Sequence, residues 1–192
     1  RVQGPLASTP KLLDGGPVSV PYHVGPPYAP SLGGSVGLAT GDFRPSFAVF
    51  RNGSIWVAQT VDVNGRAACR WYEIDVKTKR TNQVGTVRDP VRHYFYPSIS
   101  VNARGDVAMG FSGSHAGEYA GAWFTGRLAG DPPGEMGPPR VLQAGEGPYN
   151  IITGTGVVRR WLAWSAVTLA TLVVAPRAQL PWGAAEGWWR RR

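Results

Sequence analysis

Hydrophobic and polar residues alternate with a period of two through the middle of the chain. In Trp71–Val76 the residues Trp71, Glu73 and Asp75 fall on one side. Tyr72, Ile74 and Val76 fall on the other, the pattern of a strand with two unlike faces. Four strands are expected in a first unit: Phe47–Phe50, Ser54–Val61, Ala68–Val76 and Gln83–Val87. Four more are expected in a second: Ile99–Asn102, Asp106–Ser112, Ala120–Arg127 and Arg140–Ala144. Tight turns at Asn52-Gly53 and around Gly105 close the first hairpin of each unit, because glycine supplies the positive φ that such turns need.

The two units are copies of one pattern. Pro45 and Pro97, Ser46 and Ser98, Val49 and Val101, and Gly53 and Gly105 match at a constant offset of 52. Ile55 and Val107, Val57 and Met109, Trp71 and Trp123, and Tyr72 and Phe124 keep that offset. Gly85 then corresponds best to Gly145, an offset of 60, so eight extra residues fall in the Pro-rich run Asp131–Pro139. A spacing shared over this length is an internal repeat. It also bears on two short motifs. Arg104-Gly105-Asp106 has the letters of an adhesion signal, and Asn52-Gly53-Ser54 those of a glycosylation sequon. Each occupies the same turn of its unit, where only the glycine is held in common, so both are expected to be structural.

Four-stranded units at this spacing have the sequence form of β-propeller blades. RNGSIW, RWYEID, YPSISVNARGDVAMGFSGS and the GR…GDPPG…QAGEG run resemble an uncharacterised group of bacterial, exported β-propeller proteins. The resemblance covers about residues 40–150. In that group another blade resembles R-W-G-D-Y-S-A followed by Asp-Pro and Phe-Trp. Here Arg160-Trp161 and Ser165-Ala166 are present, but Leu162-Ala163-Trp164 replaces the middle and no Asp-Pro follows. The resemblance implies an all-β fold and an exported or cell-surface setting, and it brings no catalytic residues. Two units do not close a propeller, which needs at least four blades, so a piece of a larger ring is expected.

The expected organisation has four parts. Residues 1–41 are Pro- and Gly-rich, with Ser35–Thr40 as a remnant strand of a preceding blade. Residues 42–95 and 96–156 are the two blades. Residues 157–192 form a divergent tail in which Trp161–Pro176 is an uncharged run bracketed by Arg159-Arg160 and Arg177. Three readings of that tail stay open: a misread or divergent segment, a short membrane anchor, or a packed helix. A span needs about 20 apolar residues, and this run is shorter and broken by Pro176.

Composition adds little to this but excludes several classes. With 43% hydrophobic and 17% charged residues in 192, the chain suits a globular protein, and 26 Gly with 17 Pro suit one with many turns. The net charge is +8, of which six Arg against Glu186 place +5 in residues 157–192. The remaining +3 is a weak argument for a nucleic-acid groove, and no nucleic-acid partner is expected. The lone Cys69 excludes an intrachain disulfide and a Cys-based zinc site, and is expected to be an inert buried thiol.

Catalytic motifs are absent. There is no P-loop, no third glycine after Gly154-Thr155-Gly156, no H-E-x-x-H among His23, His93 and His115, and no G-x-S-x-G elbow. Sialidase-type boxes fail on Gly53, where only Trp56 fits, and fail again on Gly105. No cofactor and no metal site is expected. The best-supported function is a binding or scaffold propeller for a glycan or protein ligand, with a fragment of a carbohydrate-active enzyme as the alternative. Membrane contact would run through residues 161–176.

In an up-and-down blade the link after the second strand and the link to the next blade share one end of the sheet. That end is expected to gather Asp62, Asp89, His93, Tyr94, Tyr96, His115, Glu118, Tyr119, Glu146 and Tyr149. Asp89, His93 and Tyr94 are the preferred contacts, because a long interblade loop, Arg88–Tyr96, would present them together. Mixed acids, histidines and tyrosines on loops suit polar ligands.

Overall fold

In a computed structural model the described residues are 14–149, together with a short antiparallel pair, β1 (Val2–Gln3) and β2 (Lys11–Leu12). The expectations for the tail from residue 157 onward lie outside them. Eight further strands follow: β3 (Phe47–Arg51), β4 (Ser54–Val63), β5 (Arg66–Asp75), β6 (Thr81–Val87), β7 (His93–Val101), β8 (Val107–His115), β9 (Glu118–Arg127) and β10 (Arg140–Gln143). They form two four-stranded antiparallel sheets, ordered β3-β4-β5-β6 and β7-β8-β9-β10, each a simple meander. The described residues contain no helix. The all-β expectation is met at this level.

The turns explain the meanders. Asn52 and Gly53 both have positive φ, 51° and 81°, and join β3 to β4 as a two-residue hairpin. Asn64 and Gly65 repeat this between β4 and β5, at 54° and 77°. Positive φ at both central residues gives a turn whose twist matches that of the strands, and Asn-Gly is its preferred pair. At the β7–β8 turn Gly105 has φ 90°.

β7 departs from expectation. It begins at His93, six residues before the expected start, and runs through Pro97. A proline removes a ladder donor and is tolerated at bulges. The register breaks between Phe95 and Ser98, where Tyr96 takes φ 52°. β8 and β9 likewise extend to His115 and from Glu118, so the expected loop Gly113–Tyr119 shrinks to Ala116-Gly117. His93, Tyr94, Tyr96, His115, Glu118 and Tyr119 therefore sit on strands.

The core lies between the sheets. Trp56, Ala58, Cys69, Trp71 and Val87 of the first sheet meet Tyr94, Ile99, Val101, Val107, Met109 and Phe111 of the second. Trp56 and Trp71 stack with centroids 5.8 Å apart and planes 15° apart. Burial pushes the Cys69 thiol well up, in keeping with an inert side chain. A second cluster joins Ala29 and Leu38 to Ala67 and Phe95, with Val36, Tyr96, Ala120 and Tyr149 around it. Residues 14–41 contain no strand beyond the single bridge Ala29↔Leu38, which ties them across this second cluster. No helix of the described residues is long and apolar enough to cross a membrane, and residues 161–176 lie outside them.

Candidate functional site

Arg92, in the short link between the two sheets, organises the strongest polar cluster. Its Nε and Nη2 donate to Glu118 Oε1 and Oε2 at 2.8 and 3.0 Å, the bidentate fork that matches a carboxylate. Its Nη1 lies 3.8 Å from Asp89 Oδ2. His115 Nε2 reaches Glu118 Oε2 at 3.2 Å, while its Nδ1 accepts from the Gly117 amide. The guanidinium lies over the Trp123 ring, 5.0 Å from its centroid, and Tyr94 packs against Trp123 and Phe111. Asp89, Tyr94, His115 and Glu118 are thus brought together, with Arg92 and Trp123 added.

The electrostatics follow from these contacts. Burial disfavours the Asp89 carboxylate. The Arg92 and Val91 amides, the Arg92 charge and the Tyr94 hydroxyl outweigh that penalty, so its pKa falls below 3.8. The bidentate contact with Glu118 raises Arg92. Burial first, and the Asp89 charge second, push the Tyr94 phenol up, so it stays protonated and donates toward Asp89 Oδ2 at 3.5 Å.

The other six sequence-expected residues do not join. Asp62 accepts from the Gly65 amide and shapes the β4–β5 turn. His93 is buried, and its Nδ1 accepts from the Ala67 amide at 3.2 Å. Tyr96 and Tyr149 pack in the second cluster. A Cβ built on Gly33 would lie 3.7 Å from the Tyr119 ring, so that side chain lies close to residues 31–35. Glu146 is exposed and accepts from Gln143. Among the described residues no group of three or more His, Cys, Asp or Glu is placed to hold a metal.

Trp123 was missed because the offset of 52 equates it with Trp71. Structurally, Thr125 takes the place of Tyr72: each stands opposite a repeat-equivalent residue of the preceding strand, Met109 and Val57. The register break between Gly113 and His115 supplies the extra residue. A one-residue slip turns every side chain of a strand to the other face. Trp123 therefore points into the layer between the sheets, toward Arg92 and Tyr94, and Phe124 takes the position of Trp71. Glycine at 113 leaves room for it, since a Cβ there would lie 2.6 Å from the indole.

At the outer strands the Pro-rich insertion makes a second concavity. Gly134 donates to Gln83 Oε1, and Gly137 bonds back to β9, so the insertion stands beside β6. A cleft of about 270 Å³ lies between them, with Trp71, Val87, Arg88, Glu135 and Met136 among its walls. No family model, no curated protein and no solved structure matches the chain.

Proposed function

We propose that the chain is part of a β-propeller serving as a binding scaffold, and that polar ligands, glycans first among them, meet it around Arg92 and Trp123. The observation that carries this is the pairing of two repeat-related antiparallel meanders, packed face to face through a continuous apolar layer. That is how neighbouring blades bury their faces. The exported setting rests on the sequence resemblance alone. The half-buried Trp123, backed by the buried Tyr94 and beside an Arg and two carboxylates, offers an apolar edge with several hydrogen-bonding groups at its rim, which suits a sugar.

The alternative is a fragment of a propeller-type carbohydrate-active enzyme. Such chemistry needs one carboxyl kept protonated as a general acid. The surroundings of Asp89 hold it ionised, which suits binding better than proton donation, and both oxygens of Glu118 are engaged by Arg92. The test is binding of the intact chain to an array of immobilised neutral and acidic oligosaccharides. Binding lost with Trp123→Ala and kept with Lys77→Ala and Lys79→Ala is expected. Loss through the two lysines instead, or no glycan bound at all, overturns the assignment.

A further inference from the structure

The two faces of the first sheet are not used alike. One is the core face. The other carries Phe50, Ile55 and Ile74 in one row and Ala48, Val57, Tyr72 and Val84 in the next. Residues 19–24 cross its outer part, where the Ser19 and Tyr22 carbonyls accept from Thr81 and Arg70. Among the described residues its inner part stays open: Phe50 is 64% exposed, and Ile55 and Val57 are only half-buried.

The repeat identifies what fits there. Ile55 and Val57 are the counterparts of Val107 and Met109, which are fully buried against the Trp56 and Trp71 face of the first sheet. The same surface is therefore covered in one unit and open in the other, and its cover is the opposite face of a sheet of this kind. The described residues have two such opposite faces. That of the first sheet is taken by the second. That of the second carries Ala108, Gly110, Ala122 and Phe124, with Arg140 beside Phe124. Ala108 and Gly110 there are already buried, so the half-buried Ala122 and Phe124 and the exposed Arg140 are what this face offers to the projecting Phe50, Ile55 and Val57.

We infer that the open face of the first sheet docks the outer face of the second sheet of another copy of this chain. The contact is heterologous, so each copy offers one face and receives another, and repeated addition gives a ring or an open stack. Only the direction of stacking rests on the propeller assignment; the glycan site plays no part.

The mass of the intact chain in solution, measured by light scattering across a concentration series, tests this. Masses at multiples of the single chain are expected, rising with concentration. Phe50→Asp and Phe124→Asp should each weaken association by on the order of tenfold or more. Mixed, they should form only one-to-one pairs, joining the intact outer face of the first variant to the intact open face of the second. Should Phe124→Asp fail to fold, Arg140→Asp, at the exposed residue beside Phe124, replaces it in the same mixing experiment. A single-chain mass at every concentration overturns the inference. So does association through like faces, shown by the two variants failing to pair when mixed. Glycan binding by a chain of single mass would sink this inference and leave the proposed function standing.

Discussion

The two sheets share strand order, connectivity and much of their sequence, yet relative to β4 and β8, whose facing agrees, their first and third strands place equivalent residues on opposite faces. In the first, β3 and β4 are joined by Asn52-Gly53, with Phe50 opposite Ile55. In the second, Val101 stands opposite Val107, the counterpart of Ile55, so the turn around Gly105 is one residue longer. The register break between Gly113 and His115 adds another residue between β8 and β9. Because the side-chain period of a strand is two, each single residue inverts the facing of the next strand. The repeat sets the path of the backbone; the turn lengths decide which tryptophan enters the core and which enters the polar cluster.

The largest expected effect tests that distinction. Trp71 is fully buried and stacked on Trp56, so Trp71→Ala should cost about 3–5 kcal/mol. Trp123 is half-buried at the margin of the same layer, and Trp123→Ala should cost roughly half as much. Urea unfolding of the two variants measures this. Equal losses would mean that both indoles serve the core alike, and that Trp123 does not lie at its margin.

How much was legible follows from the same geometry. β4 and β5 could be read from alternation, because each has one face in the core and one partly outside it. β7 could not, since Pro97 interrupts the pattern and the chain absorbs it by a bulge at Tyr96 rather than by ending the strand. Four of the ten expected site residues do gather, because link direction alone predicts which end of a sheet a loop occupies. His93 lies apart from them: as the first residue of a strand it is drawn inward to the Ala67 amide. Arg92 and Trp123 depend on register, which a backbone bulge sets and side-chain types barely signal.

His93 sharpens the comparison at the point where β7 outruns β3. Burial, and then the Arg66 charge, lower its pKa below 6.5 against the opposing pull of Asp62. The lone pair that accepts from Ala67 must also stay unprotonated. The unfolded chain thus binds this proton more readily than the folded one. Stability should fall as pH drops from about 6.5 toward the lower folded pKa, and be unaffected by this group above neutrality. His93→Asn, which keeps an acceptor near Nδ1, should flatten that part of a stability–pH curve. An unchanged slope would assign the effect to another group.

The smallest effects are expected at the β7–β8 turn. Asp106 is almost enclosed, its side chain 10% exposed, and accepts from Asn102 Nδ2, the Arg104 guanidinium and the Ala129 amide. These bonds hold its carboxyl below 3.8 despite burial, which acts against them. In the first sheet Ser54 has this place and donates instead to Glu73, so the polar residue after the turn is structural in both units. Arg104 is 76% exposed, and Arg104→Ala should change stability by no more than about 0.5 kcal/mol. Asp106→Ala should cost about 1–3 kcal/mol by removing several hydrogen bonds to a charged group. An integrin-type receptor needs the aspartate carboxylate free, and here it faces inward. Cells plated on the immobilised chain should therefore attach equally to Asp106→Glu and to the parent. Attachment that this conservative change abolishes would show that the turn opens, and would return the tripeptide to function.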